Sequence, residues 1–146
     1  MPYSIENIHP LFVHFPIALL STGLFFDVLA ILLNREDLEH GGFWCMLMGI
    51  ISCLVANFTG LTAFLIGGSL ELEGSFSNLF QFTHFILMWI TTFIFTILFL
   101  VRIKFQIDMR YSNLKRNIYL FINILAVGIL SYAAHLGAIG EREWLI

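Results

Sequence analysis

The chain has 146 residues, of which 59% are hydrophobic and only 12% charged, with seven basic and ten acidic side chains giving a net charge of −3. A water-soluble globule carries about 25% charged residues, so this composition, with a mean hydropathy of +0.89, excludes a water-facing surface. The small negative charge, and the lack of any basic stretch interleaved with stacking aromatics, exclude a nucleic-acid partner.

The first apolar run extends from about Pro10 to Leu33 and stops at Asn34-Arg35-Glu36-Asp37. Met1 to Ile8 holds no lysine or arginine, and no small-residue cleavage site precedes the end of the run. This segment is therefore expected to stay as a helix and not to act as a signal peptide. The second run covers about 43–68, between Gly41-Gly42 and the acids Glu71 and Glu73. Cys45 and Cys53 lie within it, ~12 Å apart along a helix axis, too far to pair, and read as small buried hydrophobes. The third run covers about 79–101 and is followed by Arg102 and Lys104. The fourth covers about 118–140, before Glu141-Arg142-Glu143. Each reaches the ~20 residues a helix needs to cross the hydrocarbon core. Short connections make successive helices antiparallel neighbours, so the expected fold is all-α: a single-domain, up-down four-helix membrane bundle.

Charge sets the expected orientation. Arg35, Arg102, Lys104, Arg110, Lys115 and Arg116 fall in the two loops on one side, against Arg142 alone on the other. The positive-inside rule then predicts a multi-pass protein of the cytoplasmic (inner) membrane with both termini on the outer, periplasmic side. Tyr3 and Trp144 would lie at that outer interface.

On this topology His14, His84 and His135 share one depth, ~7 Å inside the outer helix ends. His9 lies slightly further out beside Pro10, and His40 is alone on the opposite side. An ionisable residue within a span is by default a candidate for function. Two imidazoles from different helices can hold a haem iron between them, and three suit copper or zinc, with Glu71, Glu73 or Glu141 as additional ligands or hydrogen-bond acceptors. A stripe of small residues on the second helix (Gly49, Ser52, Cys53, Ala56, Gly60, Ala63, Gly67), with Gly128, Ser131 and Ala134 on the fourth, offers either close helix packing or a slot for a flat cofactor. Asp27, the one carboxylate clearly within a span, is expected to pair with Arg102 or a polar neighbour in preference to relaying protons. Asn57, Thr59, Thr62, Thr91, Thr92 and Asn123 read as bonds between helices. There is no nucleophile–base–acid arrangement, phosphate-binding glycine loop or Cys-x-x-Cys, so the expectation is an electron-transfer or accessory subunit and not a catalyst.

The stretch Ile8 to Leu20, IHPLFVHFPIALL, resembles the N-terminal hallmark of the bacterial membrane family known as domain of unknown function 2231. The likeness continues through Asp27, Thr59-Gly60-Leu61, His84 and Ala134-His135-Leu136-Gly137. Ala134 and Ala138 stand where that family commonly has glycines, and the tail Glu141-Arg142-Glu143-Trp144 departs from its tyrosine-bearing end. The resemblance implies a fold similar to small b-type cytochrome four-helix proteins. It also implies an electron-transfer role, and the histidine pattern adds the expectation of haem b near the outer face, held by a pair drawn from His14, His84, His135 and His9. Alternatives are a Cu or Zn site on His14, His84 and His135, or a cofactor-free structural subunit. Pro16 is expected near the helix start, directing His14. Expected partners are membrane lipid, other subunits or an outer-face redox protein, with a quinol as a candidate electron donor.

Overall fold

A computed structural model describes the backbone of residues 9–66, 76–111 and 113–142, and the side chains of 12–62, 82–111 and 113–138. The described residues form four helices and no strand: α1 (His9–Leu33), α2 (Glu36–Ile66), α3 (Phe76–Phe105) and α4 (Leu114–Arg142). All four are long and apolar enough to cross a membrane. Each packs on its sequence neighbour, most closely α1 on α2 and α3 on α4, and α4 closes the ring against α1. This is the expected up-down bundle.

Three of the helices extend well past the apolar runs, each for a local reason. α2 begins at Glu36, not near residue 43, because Glu36, Asp37 and Glu39 fill its first turn, where carboxylates meet the positive end of the helix dipole. α3 continues to Phe105 because Arg102 turns into the bundle instead of marking its edge. α4 starts at Leu114, where the Asn113 carboxamide oxygen accepts the Arg116 N–H at 2.7 Å, an N-cap. α1 and α3 end alike: Asn34 and Gln106 adopt φ of 52° and 47°, and the next N–H reaches back to Ala30 O and Arg102 O respectively. This is the Schellman closure. Pro16 is not at a helix start but eight residues into α1, where it is buried and removes one internal backbone donor.

The buried seam includes positions that advance by alternating steps of three and four. They are Pro16, Leu20, Gly23, Asp27 and Ala30 on α1, and Gly42, Met46, Gly49, Cys53 and Ala56 on α2. Phe95, Leu98 and Arg102 on α3, and Tyr119, Asn123, Ala126, Leu130 and Ala133 on α4, continue the pattern. That spacing keeps one seam of each helix facing its neighbours. The outward faces carry Phe15, Phe25, Trp44, Phe58, Phe93, Phe121 and Leu125. Asp27, Arg102, Asn57 and Asn123 lie inside while Phe15, Phe25, Phe58, Phe93 and Phe121 lie outside, the reverse of a soluble bundle and the arrangement a lipid solvent demands.

The small-residue stripe of α2 is filled over its inner part. Leu20 sits against Gly49, where a Cβ would come within 2.6 Å of Leu20 Cδ2. Gly23 meets Cys45, and Gly42 faces the Asp27 carboxylate. These pairs run in antiparallel register and make the stripe a helix-packing surface from Gly42 to Gly49. Ala63 and Gly67 fall outside the residues whose side chains are described. Gly128 and Ser131 face outward on α4, with open space beside Gly128. Gly49→Val is expected to cost about 1–3 kcal/mol by overpacking. Thermal melts in detergent check this, and adding Leu20→Ala should recover part of the loss.

The loop between α3 and α4 is clasped to the start of α2. Arg110 donates to Asp108 and, at 2.9 Å, to Glu36, and Ile107 and Met109 are buried beneath it. The hydrogen bonds from Arg110 hold the Asp108 carboxyl below the ordinary aspartate range.

Candidate functional site

Two polar centres lie at opposite ends of the bundle. At the end bearing the cationic loops, Arg102 of α3 is only 4% exposed and Asp27 of α1 only 1%. Arg102 Nη1 donates to Asp27 Oδ2 at 3.0 Å and to the Tyr119 hydroxyl at 3.3 Å, and Nη2 donates to the Glu39 carbonyl at 3.1 Å. The guanidinium also lies over the Phe43 and Tyr119 rings, 5.8 and 5.7 Å from their centroids. The Tyr119 proton faces Asp27 Oδ2 and Met46 Sδ. One buried ion pair thus ties all four helices together. The expected Asp27–Arg102 pairing is present; Tyr119, Met46 and the Glu39 carbonyl were not foreseen. Asp27 Oδ1 has no hydrogen-bond partner among the described residues.

Further along the interior, Asn57 Nδ2 donates to Thr92 Oγ1 at 2.9 Å and joins α2 to α3. Thr91 and Thr92 also donate to carbonyls of their own helix, as do Thr59 and Thr62. Asn123 is fully buried, and neither end of its amide meets a partner among the described residues.

The histidine end is built around His84 of α3. Its Nδ1 lies 2.7 Å from the Ala133 carbonyl oxygen of α4. A carbonyl can only accept, so Nδ1 carries the proton and, in the neutral ring, Nε2 keeps its lone pair. Gly137 makes this possible, since a Cβ there would come within 2.9 Å of His84 Cε1 and 3.0 Å of Nδ1. His84 is half-buried, whereas His14 and His135 are exposed on their helices. His135 lies beside buried Leu136 but points out of the seam. The side chain of His9 lies outside the described ones, as do Glu71, Glu73 and the side chain of Glu141, while Tyr3 and Trp144 fall outside the described residues altogether. His40 is exposed at the other end, with Nδ1 on the Glu36 carbonyl at 2.8 Å. Among the described residues no three His, Cys, Asp or Glu side chains stand close enough to share one metal ion. The structure thus brings His14, His84 and His135 to one end of the bundle without gathering them into a three-ligand cluster.

The family described as "Predicted membrane protein (DUF2231)" matches residues 6–140, a range that takes in all the polar centres above. The chain belongs to the DUF2231 family. No curated protein and no solved structure matches it. Membership, together with four span-length apolar helices, makes this DUF2231 chain a membrane protein.

His84 fits an iron ligand in one respect that geometry can test: metal-bound imidazoles commonly donate their second nitrogen to a backbone carbonyl, which fixes ring and tautomer. The other described histidines at this end of the DUF2231 chain, His14 and His135, are exposed.

Proposed function

We propose that this protein binds haem b near the histidine end of the bundle and serves as an electron-transfer subunit of a membrane complex. The observation that carries the reading is the His84 Nδ1–Ala133 bond, which presents Nε2 as a ligand. His84 holds the iron from α3, and His14 or His135 completes the pair. The bound group would supply one-electron transfer to and from partners of the chain. The residues do the positioning. The Ala133 carbonyl sets the tautomer and increases the basicity of Nε2, and Gly137 lets α4 close on the ring. The exposure of His14 and His135 supports a covered face, because ionisable side chains within spans generally meet protein, a cofactor or water and not lipid.

The test is electron paramagnetic resonance of the oxidised, purified protein. A low-spin bis-imidazole signal is expected, lost in His84→Ala and in one of His14→Ala and His135→Ala, and retained in His40→Ala. An unchanged low-spin signal in the first three variants overturns the ligand assignment. A cofactor-free structural subunit is the second reading, favoured by the fact that the bond to Ala133 also satisfies His84 as a simple link between helices.

The reading includes residence in the cytoplasmic membrane with both termini outside, supported by the clustering of Arg35, Lys104, Arg110, Lys115 and Arg116 at one end of the bundle, beside the buried Arg102. A periplasmic reporter fused after Ile146 is expected to be active, and cytoplasmic reporter activity there contradicts the orientation.

A further inference from the structure

An apolar groove of about 400 Å³ runs between α3 and α4 at the cationic end. Its walls are Ile94, Ile97, Val101 and Phe105 on one side and Ile118 and Ile122 on the other, and Lys115 is the one charged residue that lines it. From Ile94 to Phe105 the groove follows α3 for ~16 Å. That is close to the depth of one leaflet, half of a hydrocarbon core about 30 Å thick. Its length therefore suits an acyl chain entering from the nearer interface.

Charge at the mouth identifies the headgroup. Lys115 Nζ lies 4.9 Å above the Phe105 ring, and Lys104, exposed, sits one residue before Phe105. Neither lysine has a carboxylate partner among the described residues. Arg35, Arg102 and Arg110 at the same end are each paired with an acid. Lys115 lines the groove, and Lys104, three residues past Val101, follows the same face of α3, so two uncompensated cations lie toward the end where the phosphate of a lipid seated in the groove would sit. A quinone ring would need hydrogen-bonding groups within the groove, and there the Tyr119 hydroxyl is engaged with Asp27 and Arg102, which leaves only Lys115 at the mouth.

We infer that the α3–α4 groove is a binding site for an anionic phospholipid, with an acyl chain along Ile97 and Ile122 and the phosphate at Lys115 and Lys104. The site is independent of haem. Its test is native mass spectrometry of the detergent-purified protein titrated with phosphatidylglycerol, or with phosphatidylcholine of the same acyl chains. Phosphatidylglycerol is expected to be retained preferentially, by about fivefold for each lysine engaged. Lys104→Glu/Lys115→Glu, both at exposed positions, should abolish that preference. Ile97→Trp, filling the groove, should reduce retention of both lipids. Melting temperatures of the lipid-free variants report whether they fold, and the lysine pair suffices if Ile97→Trp does not. Equal retention of the two lipids by the wild type, or a preference that survives the lysine changes, overturns the proposal. So does a dimer that Ile97→Trp dissociates while phosphatidylglycerol binding is unaffected, which would make the groove's occupant a second copy of the chain.

Discussion

Asp27→Ala is expected to destabilise the protein by about 3–5 kcal/mol, the loss that follows when one member of a buried ion pair is removed and the other stays buried. Arg102, 4% exposed, would keep its bonds to Tyr119 and the Glu39 carbonyl but lose the carboxylate with which it forms its ion pair. Replacing both partners, as Asp27→Ala with Arg102→Met, removes the uncompensated charge and should be less damaging than Asp27→Ala alone. Denaturation in detergent micelles measures each variant, and the coupling between the two sites follows from the double-mutant cycle. A double variant worse than the sum of the singles would show that each residue has a separate role. Gly42 belongs to the same centre. A side chain there would run into the Asp27 carboxylate, so Gly42 substitutions should resemble Asp27 substitutions.

The second large effect is expected at Gly137, a residue that ligates nothing. Even alanine there brings a carbon within 2.9 Å of the His84 ring, so either the imidazole turns or α4 moves away. Both outcomes stretch the bond to Ala133. Gly137→Ala should cost about 1–3 kcal/mol by overpacking and should also alter the electronic environment of Nε2. A purely structural glycine would change the melting temperature alone. A glycine that positions a haem ligand should shift the midpoint potential or the low-spin spectrum as well, with Gly137→Val more severe. An altered melting temperature with an unchanged spectrum would separate His84 from the iron.

Much of this architecture was legible before any coordinates. Four spans, their alternation and the placing of His14, His84 and His135 at one end of the bundle follow from segment length and helical rise. Asp27 and Arg102 could be paired because each is the conspicuous charge of its helix and antiparallel neighbours place them at one level. What periodicity could not show was which face of each helix turns inward. Phe25 and Phe93 are exposed while Leu20 and Phe95 are buried, so apolar residues surround the helices and no hydrophobic stripe marks the seam. The polar residues held the missing signal. If Asp27, Thr92 and Asn123 mark the interior, a turn of about 100° per residue places His84 roughly 80° from the seam. By the same rule His135 lies roughly 120° away and His14 roughly 140°. Their outward placement could have been found by that count. Charged residues do not all mark helix ends: Glu36 and Asp37 begin α2, and Arg102 is core.

The most direct test of the haem assignment is a dithionite-reduced minus oxidised absorption spectrum of the purified, detergent-solubilised wild-type protein, with pyridine haemochrome quantification. A b-type spectrum at about one haem per chain is expected. Protein expressed with ample haem that shows no such absorption would contradict it and leave the His84–Ala133 bond as a structural link between α3 and α4.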